Sequence, residues 1–247
     1  MKCQRPWRPR INPRFVPVGD YALSVEFDNV IDPEVSALVR ALDLAIAASD
    51  IAGIVETVPS FRTLLIVYEP EDIGFDALIQ QLSLLISLGL NARVTSGRSW
   101  IVPVAYGFPD EEDFREIAAA TKLTFDEIVA LHSSAMFQVY VVGFVPGLPV
   151  LGGLPDALHL SRRADPRPDL PAGRVMIGGM QGIIVPMPMP SGYYSLGQTP
   201  LRPYQRGATN PFLFRPGDRI RFQPITPAEL GAMAGTPSDR FLTTEVA

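Results

Sequence analysis

The run VYVVGFVPGLPVLGGLP, residues 139–155, decides how the second half of this 247-residue chain is read. Its first four residues are β-branched or aromatic and predict a strand. The remainder sets four glycines and three prolines among bulky apolar side chains. Glycine weakens regular structure and proline removes a backbone donor, so this part suits neither an ordinary strand nor a helix. The expectation is a stiff, irregular loop that leaves a strand. It carries no acid, base or nucleophile, and it lacks both the Lys-Ser/Thr of a P-loop and the spacing of a dinucleotide fingerprint. Two readings stay open on these residues alone: a buried connection, or a loop whose peptide groups receive a ligand.

Outward from that run, short β-like segments recur: RVMIGG, GIIVPM, YYSLG, PFLF and RIRFQPI. Turns such as RPGD at residues 215–218 divide them, with Pro then Gly suiting a type II turn. Many short strands with frequent Gly and Pro predict a closed or nearly closed barrel. WIVPVAY opens this half as a further strand. Two helices follow it, one from PDEEDFREIAAAT with acids in its first turn, the other starting at the capping box of Thr124 and Glu127. That second helix ends near His132. From Thr226 the chain is polar and small, which predicts a short helix or loose tail.

The first half has another grammar. A strand or hairpin at residues 16–27 places Leu23, Val25 and Phe27 on one face. Asp32 then caps a helix with Pro33 at its first position, and Val35, Leu38, Val39, Leu42 and Ile46 form its apolar stripe. IVETV and TLLIVYE predict a hairpin, and a second helix covers about residues 75–88, with Gly89 as its left-handed terminator. NARVT, residues 91–95, completes the set as a strand. Strand, helix, strand, strand, helix, strand is the order of a ferredoxin-like unit. The expected fold class is therefore α+β. Its parts are a flexible segment 1–13, a ferredoxin-like domain 14–98, a barrel domain 99–225 and a tail 226–247.

Composition narrows the function. With 47% hydrophobic and 19% charged residues and a formal net charge of −5, the chain can bury a core and has no basic field for nucleic acid. The single cysteine, Cys3, allows no internal disulfide. No apolar run reaches the roughly 20 residues of a membrane span, and no export signal is read, so a cytoplasmic protein is expected. Only His132 and His159 are available as imidazole ligands, and no metal spacing joins them.

Several motifs in order carry a resemblance: GFVPGLPVLGGLP, SRRADPRPDLPAGRVMIGG at residues 161–179, GQTPL at 197–201 and RPGDRIRFQPI at 215–225. Together they resemble the family of allophanate hydrolase subunit 1, also called the 5-oxoprolinase B subunit or KipI-like family. The resemblance implies an N-terminal α/β domain and a C-terminal cyclophilin-like barrel. It also implies action beside a second subunit, of the type of allophanate hydrolase subunit 2 or the 5-oxoprolinase C subunit, in ATP-dependent opening of 5-oxoproline to glutamate. ATP with Mg would enter through the assembled complex, since this chain shows no motif for it. Related domains act as the carboxyltransferase part of biotin-dependent urea carboxylase, and one branch inhibits a histidine kinase, so these stand as alternatives.

The loop residues Gly143, Phe144, Pro146, Gly147, Gly152 and Gly153 match the family pattern and are expected to border a cleft. Arg162, Arg167 and Gln181 match too. A guanidinium fork can pair both oxygens of an anion, which makes the two arginines the candidates for holding a carboxylate or phosphate. Their alternative is a surface arginine paired to Asp156, Asp165 or Asp169. His132 could act as a base, although its place at a helix C-terminus favours a cap that suits the dipole. His159 is expected to be exposed. Tyr193 and Tyr194 could stack on a ligand or fill a barrel wall. The chain departs from the family pattern at Gly182, Ile183, Tyr193 and Gln198, where a hydroxyl and a cationic donor are expected to be lost.

Overall fold

In the computed structural model, which describes residues 12–90, 97–109 and 111–243, the chain divides into two compact units, Met1–Ser96 and Gly97–Ala247. In the first, the Asp32 carboxylate accepts from the Glu34 amide at 2.7 Å and Pro33 follows it, so helix α1 (Pro33–Ser49) starts where the capping residues place it. Two hairpins frame this helix. β1 (Arg14–Val18) pairs with β2 (Ala22–Glu26), and β3 (Ile54–Pro59) pairs with β4 (Thr63–Tyr68). β2 also pairs with β4, which gives an antiparallel sheet of order β1-β2-β4-β3. Leu23 and Val25 of β2 and Leu64, Ile66 and Tyr68 of β4 alternate inward, as period-two strands must with one face covered. The cover is α1 together with α2 (Phe75–Ser87), whose Leu78, Leu82 and Ile86 complete the apolar cluster. Gly89 ends that helix at φ 94°. The strand expected over NARVT lies outside the described residues.

The second unit opens with β5 (Ser99–Tyr106), α3 (Glu111–Thr121) and α4 (Phe125–Ser134). Thr124 and Glu127 make the reciprocal capping box, at 3.3 Å from the Glu127 amide to the Thr124 hydroxyl and 2.8 Å from the Thr124 amide to the Glu127 carboxylate. The strands that follow are β6 (Phe137–Val142), β7 (Pro149–Gly152), β8 (Arg167–Leu170), β9 (Arg174–Gly178), β10 (Gln181–Ile184), β11 (Met189–Ser191), β12 (Tyr194–Gln198) and β13 (Arg219–Pro224). Six of them form with β5 a closed seven-stranded barrel in the order β12-β9-β10-β7-β6-β13-β5, shut by pairing of Gly197 and Gln198 with Tyr106 and Ala105. β13 and β5 run parallel while the other neighbours are antiparallel. β8 and β11 stand apart as a two-stranded ribbon. Phe114, Ile117 and Ile128 bring the two helices onto the barrel core of Trp100, Val102, Phe137, Leu151, Ile177 and Phe222.

Three expectations change. The Gly/Pro run is not one loop, because residues 149–152 are strand β7, paired with both β6 and β10. Pro149 occupies the first position of that strand, where a missing donor is tolerated. PFLF at residues 211–214 is not a strand; only an isolated bridge joins Phe212 to Tyr204, and Phe214 turns inward against Trp100 at 5.2 Å. The C-terminal segment holds the short helix α5 (Pro227–Ala232), and it also returns to the sheet, where β14 (Leu242–Thr243) pairs with Trp100 and Ser99. No helix among the described residues is long and apolar enough to cross a membrane.

Candidate functional site

After β7 the chain passes Leu160, bridged to Gly179, and enters an irregular segment that carries Arg162 and Arg163 before Arg167 opens β8. The Arg163 amide donates to the Gly192 carbonyl at 2.8 Å, which pins this segment beside the turn between β11 and β12. Successive guanidiniums then meet successive tyrosines. Arg162 lies 4.7 Å from the Tyr193 ring centroid and Arg163 4.3 Å from that of Tyr194.

Arg162, Gln181 and Tyr193 form a closed polar triangle. Arg162 Nη2 donates to the Tyr193 hydroxyl at 2.8 Å and to Gln181 Oε1 at 3.2 Å, and the Tyr193 hydroxyl donates to the same Gln181 oxygen at 2.8 Å. Burial pushes the Tyr193 hydroxyl above its usual pKa, and the charge of Arg162 partly offsets that. Arg162 is exposed and makes no ion pair among the described residues, with Asp156, Asp165 and Asp169 or with any other acid. Its guanidinium is thus oriented by neutral groups, and no acid among the described residues neutralises its charge.

Arg167 is differently placed. It pairs with Asp113, a carboxylate with no exposed surface on α3, whose Oδ1 also takes Arg163 at 2.6 Å and whose Oδ2 takes the Ser195 amide at 2.7 Å. Arg163 reaches Glu116 as well, at 2.9 Å. This hub ties α3, the arginine segment and β12 together. Of the two candidate arginines it is Arg167 that is ion-paired, and the acid comes from a separate helix.

His132 corrects the expectation of a helix cap. It has no exposed surface; its Nδ1 lies 2.7 Å from the Tyr106 hydroxyl, and its ring stacks on Phe222 at 4.4 Å. Burial drives its pKa down to about 3, so it carries no charge with which to complement the dipole. His159 is half-buried rather than exposed, with Nε2 3.0 Å from the Leu154 carbonyl.

The loop residues split. Gly143, Phe144, Pro146 and Gly147 border a groove of about 550 Å³, closed on its other side by residues 210–216. Phe144 is 82% exposed at its rim. Gly147, at φ 78°, lies under the Tyr204 side chain, where any Cβ would sit 2.7 Å from that of Tyr204. Gly152 and Gly153 instead meet Tyr140 and the Met136 carbonyl. Among the departures, Gly182 and Ile183 lie within β10, and Ile183 is buried beside Leu148 and Met176. Gln198 donates to the Ala172 carbonyl at 2.9 Å and lines a larger cavity of about 1050 Å³, bounded by residues 198–213 and 227–242.

Asp113, Arg163 and Asp218 are anchors beyond the candidates that motif and spacing single out. Asp113 shares its helix face with Phe114 and Ile117, both buried, and a carboxylate at that spacing signals a paired internal charge. Asp218 was legible only as the end of the RPGD turn. It accepts from Arg98, from Trp100 Nε1 at 3.0 Å and from the Arg215 amide at 3.0 Å.

A mixed α/β chain with few helices and a closed seven-stranded barrel has the architecture of a protein of the carboxyltransferase-like kind. The chain belongs to the family of the carboxyltransferase domain, subdomain C and D, whose model matches residues 13–214. The B subunit of 5-oxoprolinase from Escherichia coli O157:H7 is 34% identical over 208 residues, which cover 84% of this chain and 94% of that one. The solved structure of TTHA0988 superposes with a TM-score of 0.73 at 32% identity, over 83% of this chain and 40% of that longer one. This chain therefore spans less than half of that relative. The Kluyveromyces lactis urea amidolyase shares the fold, with a TM-score of 0.74 at 21% identity over 98% of this chain and 17% of the other.

Proposed function

We propose that this chain is one subunit of a two-component, ATP-dependent amidohydrolase of the 5-oxoprolinase type, acting with a second carboxyltransferase-like subunit. The match to a protein named as the 5-oxoprolinase B subunit, running over nearly that protein's whole length, carries the reading. In the reaction, water adds to the lactam carbonyl of 5-oxoproline, the ring C–N bond breaks, and the nitrogen leaves protonated as the amine of glutamate. ATP hydrolysis supplies the driving force. Arg162 binds the substrate carboxylate, and Tyr193 and Gln181 fix the fork for it. The acid–base groups for the lactam come from the partner. The fold names follow the same reading: the first unit is ferredoxin-like, with β1 in the edge place that a fourth strand would take, and the second is cyclophilin-like.

Co-expression with the protein encoded beside it tests this directly. Glutamate formation that needs ATP, 5-oxoproline and both chains is expected, and no gain over either chain alone overturns the proposal. In the active pair, Arg162→Ala should raise KM about tenfold or more with a smaller change in kcat, because a charge-assisted contact to a carboxylate is removed.

A further inference from the structure

The larger cavity has one uncommitted cation among its described lining residues. Arg98 lines it, yet its Nη2 donates to Asp218 Oδ2 at 2.7 Å and to the Leu213 carbonyl at 2.7 Å, and its charge is neutralised there. Arg202 is different. Its amide is held by the Ser238 hydroxyl at 3.0 Å, while its exposed guanidinium makes no hydrogen bond or ion pair among the described residues. That guanidinium lies over the Gly173 turn, with Nη1 3.0 Å from the point where a Cβ would stand and the Gln198 amide beside it. It thereby brings a positive charge to the spot where Gln198 offers none.

Around Arg202 the wall divides by chemistry. Gln205 and Asn210 present side-chain amides that make no hydrogen bond among the described residues. Phe108 and Phe212, 40% and 48% exposed, offer ring surface together with Leu213 and Leu230. The only carboxylate among the described residues of the wall, Asp239, is solvent-exposed and not paired with Arg202. One free cation matches one anionic group; a polyphosphate would bring several charges against it. At about 1050 Å³ the space lies just above the roughly 300–1,000 Å³ of ligand sites, so it takes a body larger than a bare lactam.

We infer that this cavity binds an N-acyl amino acid, with the carboxylate on the Arg202 fork, the amide on Asn210 and Gln205, and the acyl body against Phe108 and Phe212. Nothing in this requires the amidohydrolase reading. Binding is measured on the full chain without partner or turnover, so either proposal can fail alone.

The probe is N-benzoylglycine, followed by calorimetry and saturation-transfer NMR, with its methyl ester as the uncharged control. The acid should bind at least about tenfold more tightly than the ester, the factor expected of a charge-assisted fork. Arg202→Gln should lose that factor and treat acid and ester alike, with unchanged thermal melting because the side chain is exposed. Phe212→Ala should weaken both probes and keep the discrimination. Arg162→Gln should bind as the wild type does. No binding of the acid at ~10 mM, undiminished binding in Arg202→Gln, or loss in Arg162→Gln instead overturns the inference.

Discussion

His132 and Ile128 sit one turn apart on α4, and both point into the barrel core. That spacing is visible in the sequence, but a histidine near a helix end equally suits a cap that complements the dipole. The buried ring is neutral in the folded state, with a pKa lowered to about 3 by desolvation, and ordinary in the unfolded chain near 6.5. Below pH 6.5 the unfolded state takes up a proton that the folded state refuses, so stability is full above that pH and is lost as pH falls. Between pH 6.5 and 5 the loss should reach about 2 kcal/mol, at roughly 1.4 kcal/mol per unit for one proton. Urea denaturation of the wild type and of His132→Asn at both pH values measures it, and the variant should lose this part of the slope. Equal slopes would assign the effect to another group. Of the site itself, Arg162 and Gln181 were legible because a recurring motif carries them, and the structure does bring them together. An ion pair was one of the two readings open for Arg167, but its partner Asp113 was not legible, because that acid lies far away in sequence, where spacing gives no clue.

Elements with local signals were legible to within a residue or two. Asp32 with Pro33 and Thr124 with Glu127 act within one helical turn, and the structure makes the expected hydrogen bonds at both. β7 was illegible for the opposite reason. Its Pro149 and Gly152 contradict strand propensity, and only pairing on both sides, with β6 and β10, makes a strand of it. Gly152 is required there by packing: a Cβ would lie 2.1 Å from Cε2 of Tyr140, whose ring is itself buried. Gly152→Ala must therefore displace a ring that has little room to move. The expected cost is about 1–3 kcal/mol, as for other overpacked core sites. Chemical denaturation of Gly152→Ala measures it, and the double variant with Tyr140→Leu should recover part of the loss. A neutral single substitution would show that the β6–β7 hairpin opens freely to admit the methyl group.

Closure of the barrel depends on pairings that no local pattern announces. β5 joins β13 along nearly its whole length on one side, whereas on the other it meets β12 only at Ala105 and Tyr106. The lower part of that second side, at Ser99 and Trp100, is filled by β14 from the far end of the chain. A polar, small-residue composition predicted a short helix or loose tail; the helix is there as α5, but β14 was not legible, because two residues of strand carry no readable periodicity. Their contribution is coverage: Phe241 and Leu242 pack against the cluster that holds Trp100, itself only 2% exposed. Ending the chain at Pro237 removes both side chains, β14 and the Ser238 hydroxyl that holds the Arg202 amide. The loss of apolar burial should cost about 2 kcal/mol and lower the melting temperature by about 4–8 °C. In a Trp7→Phe background, Trp100 is the sole indole, and its emission should move to longer wavelength as water reaches the edge of β5. Unchanged emission and melting in the shortened chain would mean that the barrel closes around Trp100 without its C-terminal strand.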